Sequence, residues 1–222
     1  MGKTLVLAEK PSVGRELAAV LGCKKKEKNA FSSEKYIVTW ALGHLVTLED
    51  PAHYSPEYKA WRMETLPMLP DKMALRVIPE TSQQFSVVSA YLKSREVSDV
   101  VIATDAGREG ELVARWILEK AGCKKPIKRL WISSQTEKAI REGFQKLAPG
   151  SDYDSLYHAA QARAEADWLV GLNTTRALTC KFGAQLSAGR VQTPTLALIV
   201  QREKEITSFT PKDYYLLRAD LG

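Results

Sequence analysis

The stretch Val100–Glu111, which reads Val-Val-Ile-Ala-Thr-Asp-Ala-Gly-Arg-Glu-Gly-Glu, constrains the fold of this chain more than any other. A β-branched apolar run stops at Thr104, and three carboxylates, Asp105, Glu109 and Glu111, follow within seven residues. Two glycines and an arginine separate them, and an apolar pattern at helical spacing runs from Leu112 to Ala121 and closes at Gly122. A buried strand therefore delivers acids to a loop at its C-terminal edge, which is where ligands bind in open parallel sheets. Oxygen ligands grouped this way suit a hard cation such as Mg²⁺. The competing reading is a solvated acidic turn at the start of a helix, where carboxylates are favoured by the helix dipole.

The same device occurs at the start of the chain. Lys3–Ala8 reads as a short buried strand ending in Glu9-Lys10-Pro11-Ser12, with a helix over Val13–Leu21 closed by Gly22. Pro11 suits a first helical turn because its missing N–H needs no partner there. Tyr36–Trp40, Leu75–Ile78 and Ile127–Trp131 read as further strands, and Gln83–Ser94 as a helix with Phe85, Val88, Tyr91 and Leu92 on one face. Ser134 resembles an N-cap, with Glu137 at the capping-box position, for a helix reaching Leu147. Strands alternating with helices predict a doubly wound α/β sheet. Parallel crossovers share one hand, so Glu9 and Asp105 are expected at one edge of that sheet.

The alternation stops near Pro149-Gly150, which divides the chain into an α/β unit, 1–150, and a mainly helical partial unit, 151–222. The second unit reads as a long helix over Leu156–Thr179, a Gly/Ser loop at Gln185–Val191 and a helix over Gln192–Ile206. A β-type run, Tyr214–Arg218, follows without a partner strand, the pattern expected of a divided domain. Between the strands, Asp50–Asp71 is a long segment rich in Pro, Tyr and Trp. Its aromatic rings suit either stacking on bases or packing on the domain surface.

Composition sets broad limits. A hydrophobic fraction of 45% supports a packed core, and a net charge of +6 favours a polyanionic partner such as nucleic acid. The three cysteines, Cys23, Cys123 and Cys180, form no Cys-x-x-Cys pair, so neither a zinc site nor a disulfide framework is expected. No signal peptide and no apolar run of the roughly 20 residues that span a bilayer occur, which predicts a cytoplasmic protein without a membrane partner. Lys24-Lys25-Lys26 reads as a solvated surface, and His44 as a structural histidine.

Glu9 and Asp105, with Glu109, form a candidate Mg²⁺ site bound largely through water. Lys10 and Arg108 beside them supply cations for a phosphate oxygen. This constellation resembles the Toprim domain, whose pattern is a glutamate after the first strand and Asp-x-Asp-x-Glu after a later one. One position departs: Gly107 stands where the pattern has its middle aspartate. Glu111 or a substrate phosphate is then the candidate to complete the site.

The second unit narrows the resemblance. Arg163-Ala-Glu-Ala-Asp-Trp-Leu-Val-Gly-Leu-Asn-Thr-Thr-Arg176 and Leu186-Ser-Ala-Gly-Arg-Val-Gln-Thr-Pro194 are similar to type IA DNA topoisomerases, as are Ala8–Ser12 and Thr39–Leu45. The resemblance implies a Rossmann-like Toprim sheet, Mg²⁺ as cofactor and single-stranded DNA as partner. It assigns metal binding to Glu9 and Asp105, and catalytic support to Lys10 and Glu109. It assigns DNA contact to Ser187, Ala188, Gly189, Arg190, Val191, Gln192 and Arg176. A small-residue loop entering a helix is physically suited to a phosphate, although an ordinary helix–helix turn has the same composition. Arg176 has a salt bridge as its competing role, and Arg163 and Asp167 stand i,i+4 as a candidate pair.

In that family a tyrosine in a context such as Gly-x-Ile-Thr-Tyr-x-Arg attacks the DNA, and no ATP is needed. None of the eight tyrosines has that context. The expectation is the metal side and part of the strand grip of an enzyme that needs further polypeptide for activity. A Toprim nuclease or primase-like enzyme and a non-catalytic nucleic-acid-binding module are the alternatives.

Overall fold

In the computed structural model, which describes residues 2–222, the first strand β1 (Lys3–Ala8) lies at the middle of a seven-stranded sheet. Helix α1 (Pro11–Val20) follows, with Pro11 in its first turn. Strands β2 (Lys25–Glu27), β3 (Ala30–Ser32) and β4 (Tyr36–Trp40) come next. A small two-stranded ladder pairs β5 (Val46–Leu48) with β6 (Leu75–Val77), and the short helix α2 (Pro51–Tyr54) lies between them in sequence. Helix α3 (Ser82–Lys93) leads to β7 (Val97–Ala103) and α4 (Arg108–Ala121), which ends on Gly122 in the left-handed region. After β8 (Ile127–Arg129), helix α5 (Glu137–Gln145) and β9 (Ala148–Pro149), the chain continues into α6 (Asp154–Phe182) and α7 (Gln192–Thr207).

The sheet order is β2-β3-β4-β1-β7-β8-β9. Strands β4, β1, β7 and β8 run parallel, while β2, β3 and β9 pair antiparallel at the two margins. The sheet is therefore mixed, whereas the sequence reading expects a parallel one. The cause is local: Asn29 adopts a positive φ of 53° and turns the Lys25–Ser32 segment back on itself as a hairpin.

Period-two alternation splits the core. Leu5, Leu7, Val100 and Ile102 point to one face, where α3, α4 and Ala160 of α6 cover them. Val6, Ala8, Val101 and Ala103 point to the other, under α1 and Ile140 of α5. Each fully buried aliphatic side chain of this kind contributes about 1.5–3 kcal/mol, so both faces must be covered.

The segment between β5 and β6 acts as a strap for α6. Asn173 accepts from the Met68 N–H at 2.6 Å and donates to the Met68 carbonyl at 3.0 Å. Trp168 Nε1 donates to the Glu49 carbonyl at 2.9 Å, and Tyr54 meets the Trp168 ring edge-on. Tyr54 of this segment thus packs on the domain, while Trp61 stays exposed.

Several boundaries differ from the sequence reading by a few residues, and three differences change the part that named residues play. Helix α4 starts at Arg108, so Glu109 and Glu111 sit in its first turn and not in a loop. The N-cap of α5 is Thr136, whose Oγ1 accepts from the Ala139 N–H at 3.3 Å, in place of Ser134. Residues 214–218 form no strand, because no other strand lies beside them to pair with among the described residues.

Candidate active site at the sheet edge

Strands β1 and β7 are neighbours in register, Ala8 opposite Ala103, so the residues after them emerge side by side. Glu9 Oε2 accepts a hydrogen bond from the Asp105 N–H at 2.8 Å. The convergence expected from parallel topology is present in this contact, with Asp105 exposed and Glu9 half-buried. Lys10 is exposed at the N-cap position of α1, next to Glu9.

Glu109 projects from the first turn of α4, its side chain 60% exposed and 3.3 Å from Nη1 of Arg163 on α6. Glu111 is on the other side of the same helical turn and is 0% exposed. Its carboxylate accepts from Arg129 Nε at 2.8 Å and from Arg115 Nε at 2.9 Å. Glu111 therefore cannot serve as a replacement ligand for the position that Gly107 vacates. One residue along a helix rotates a side chain by about 100°, so residues two apart face nearly opposite ways.

Among the described residues, no three Asp, Glu, His or Cys side chains gather into a closed metal cage. Two adjacent carboxylates with open space are the donor set Mg²⁺ uses when water and a substrate phosphate complete its shell. Glu9 and Asp105, which follow neighbouring parallel strands, are the two carboxylates this edge offers for such a shell.

From Glu109 a groove of about 830 Å³ runs between α4, α6 and the β5–β6 ladder. His44, Trp116, Arg163, Asp167 and Trp168 line it. His44 is exposed there, its ring edge-on to Trp116 at 6.3 Å, so it belongs to the groove surface. A second depression of about 430 Å³ shares Asp167 and continues along the Ser187–Gln192 loop.

That loop hangs from α6. Thr175 Oγ1 accepts from the Ala188 N–H at 3.0 Å, and Thr179 Oγ1 accepts from the Leu186 N–H at 3.2 Å. The Gly189 N–H donates to Thr193 Oγ1 at 3.0 Å, and Ser187, Val191 and Gln192 border the depression. Arg190 donates Nε and Nη2 to the two oxygens of Asp167 at 2.7 and 3.2 Å. This bond holds the Asp167 carboxyl below its ordinary range. The pairing corrects the i,i+4 expectation: Asp167 takes Arg190, and Arg163 reaches Glu109, because both partners lie across the groove and not along the helix.

Arg176 also departs from expectation. It is 6% exposed, donates to the Tyr58 carbonyl at 2.6 Å and lies over the Trp61 ring at 5.2 Å. The strap covers it, and among the described residues no acid is its partner. The other six residues of the expected DNA-contact set, Ser187 to Gln192, line the second depression, with Arg190 as their cation.

Sequence reasoning missed Arg129. Its guanidinium is 0% exposed and touches the carbonyls of Thr104 and Asp105. The one available signal was an arginine inside the apolar strand Ile-Lys-Arg-Leu-Trp, at an inward position.

A mixed sheet with carboxylates at the C-terminal edge of two adjacent parallel strands, closed on one side by a long helix, defines the class. Residues 4–135 match the family model of the Toprim domain, so the chain belongs to that family, and residues 151–222 match the family model of DNA topoisomerase. It is 64% identical over 219 residues to DNA topoisomerase 3 of Bacillus subtilis, covering 99% of this chain and 30% of that protein. It is 60% identical over 220 residues to DNA topoisomerase 3 of Shouchella clausii, again 99% of this chain and 30% of the relative. The chain thus spans about a third of the length of these curated relatives. Full-length topoisomerase I of Thermotoga maritima has the same fold over 94% of this chain and 31% of its own, with a TM-score of 0.64 at 24% identity.

Proposed function

We propose that this chain forms the metal side and part of the strand grip of a type IA DNA topoisomerase. In the whole protein it would serve Mg²⁺-dependent, ATP-independent breakage, passage and rejoining of single-stranded DNA, for relaxation and decatenation in the cytoplasm. The observation that carries this reading is the Glu9–Asp105 contact at the ends of β1 and β7, and Glu109 of the same loop-and-helix segment lines a groove that shares Asp167 with the Arg190 depression. The matched family boundaries, 4–135 and 151–222, support a division into a Toprim unit over 1–150 and the start of a DNA-binding unit over 151–222.

In this reading Glu9 and Asp105 would hold Mg²⁺, which when bound neutralises charge on the scissile phosphate. Lys10 lies beside them and donates to a non-bridging phosphate oxygen, where charge develops as the bond breaks. Glu9 would relay the proton that the attacking tyrosine gives up to the leaving 3′-oxygen. Glu109 keeps Arg163 on the groove wall, and Arg190 meets a phosphate of the bound strand in exchange for Asp167. The attacking tyrosine would come from polypeptide outside this chain, since none of its tyrosines stands in the groove.

The test is single-stranded oligonucleotide binding, followed by denaturing electrophoresis for strand scission or covalent adducts. The chain is expected to bind without forming either. Metal-dependent hydrolysis without an adduct would instead establish the Toprim nuclease reading.

A further inference from the structure

We infer that Arg129 is the positioning residue of the acidic edge: it fixes the main chain at Asp105 so that the carboxylates of Asp105 and Glu9 stand together. The inference rests on the reading of those two acids as metal carboxylates.

The acids lie just beyond the last paired residues of β1 and β7, where the ladder no longer supplies partners for the carbonyls. Arg129 replaces the ladder there. Its Nη1 donates to the Thr104 and Leu130 carbonyls at 2.8 Å each, and its Nη2 donates to the Asp105 carbonyl at 2.7 Å. Since the Asp105 N–H is already given to Glu9 Oε2, this residue's peptide groups are held from both sides. Only a planar fork with separate donors can serve several carbonyls and a carboxylate at once, and a lysine cannot.

The counter-charge is built in. Glu111 accepts Nε of Arg129 and also Nε of Arg115, whose Nη2 reaches the Gly150 carbonyl at 2.6 Å and Asp154 at 3.0 Å. The acid loop is thereby tied to β8 and to the first turn of α6. Stability alone gives little reason for such a network, because a buried ion pair can often be replaced by apolar residues of similar volume at no loss. An apolar pair would fill the space and leave the Asp105 carbonyl unheld.

The test uses the 222-residue chain with Mn²⁺ as the probe, read by electron paramagnetic resonance. Thermal unfolding and amide exchange at Asp105 are measured alongside. The double variant Arg129→Met/Glu111→Leu removes both charges, so neither is left buried alone. It is expected to unfold cooperatively like the parent, to bind Mn²⁺ about 10- to 100-fold more weakly, as for loss of other outer-shell partners, and to exchange the Asp105 amide faster. A folded double variant with parental Mn²⁺ affinity overturns the inference. If the double variant does not fold, Arg129→Lys decides: a weakened Mn²⁺ site supports the inference and a parental one overturns it. If Mn²⁺ binding by the parent is absent or survives Asp105→Ala, the metal reading fails and takes this inference with it. Parental binding lost in Asp105→Ala but kept in the double variant removes the inference alone.

Discussion

Replacing Gly110 by alanine would strike the acidic edge without touching any charge. A Cβ at this position would lie 2.2 Å from the Asp105 carbonyl oxygen and 2.9 Å from its nitrogen. Both are main-chain atoms, so no side chain can rotate away. Restoring an ordinary contact of about 3.4 Å requires the Asp105 peptide or the start of α4 to move by about 1 Å. A 1 Å displacement lengthens the 2.8 Å bond to Glu9 and the 2.7 Å bond from Arg129 beyond hydrogen-bonding range. Overpacking costs about 1–3 kcal/mol, and each of these charge-assisted bonds contributes about 1.5 kcal/mol or more. Allowing for partial relaxation, we expect a loss of about 3 kcal/mol, or a fall in Tm of about 6–12 °C for a chain of this size. Thermal denaturation followed by far-ultraviolet circular dichroism measures it. Gly107→Ala is the internal control: a Cβ there meets nothing within 4 Å, and the backbone is extended at φ 179°. A Gly110→Ala Tm within 2 °C of the Gly107→Ala control would refute the packing argument.

Asp167→Asn should free Arg190 for a phosphate. Single-strand affinity should rise and the slope of log K against log salt should steepen by about 0.7, one extra contact; unchanged affinity and slope would count against Arg190. Burial, and then the hydrogen bond to Glu27, push the Tyr91 hydroxyl up to about 12. A spectrophotometric titration should therefore lose one late-titrating tyrosine in Tyr91→Phe. Because the folded value is raised, this group's contribution to stability is complete below its ordinary value near 10 and is lost as pH rises through about 12. Asn173→Ala removes both amide bonds to the buried Met68 backbone and should lower stability by about 2 kcal/mol in urea denaturation. A change below about 0.5 kcal/mol, the range of ordinary surface substitutions, would mean that the strap does not anchor α6.

The strand–acid pattern at Glu9 and Asp105 was readable because short-range periodicity sets the strands, and parallel topology then brings their ends together. Helices α6 and α7 were readable for the same reason, to within a few residues. The fate of Glu111 was not readable: whether the second acid of a helical turn faces solvent or the sheet depends on Arg129, eighteen residues away. Arg163 and Asp167 offered a satisfying local pair, and the tertiary fold supplied each with a partner across the groove. The burial of Arg176 was unreadable for a related reason, since the strap that covers it lies more than a hundred residues earlier. Resemblance named candidate residues for the site, but the pairing of their charges had to come from tertiary packing.

The central claim is that the Glu9–Asp105 edge and the Arg190 loop hold one strand of DNA together with Mg²⁺. Titrating a single-stranded oligonucleotide with and without Mg²⁺, in the parent, Asp105→Ala and Arg190→Ala, tests it most directly. The account expects Mg²⁺ to tighten binding in the parent, Asp105→Ala to abolish that response while retaining metal-free binding, and Arg190→Ala to weaken binding in both conditions. Binding that ignores Mg²⁺ and is unchanged by both substitutions would contradict it.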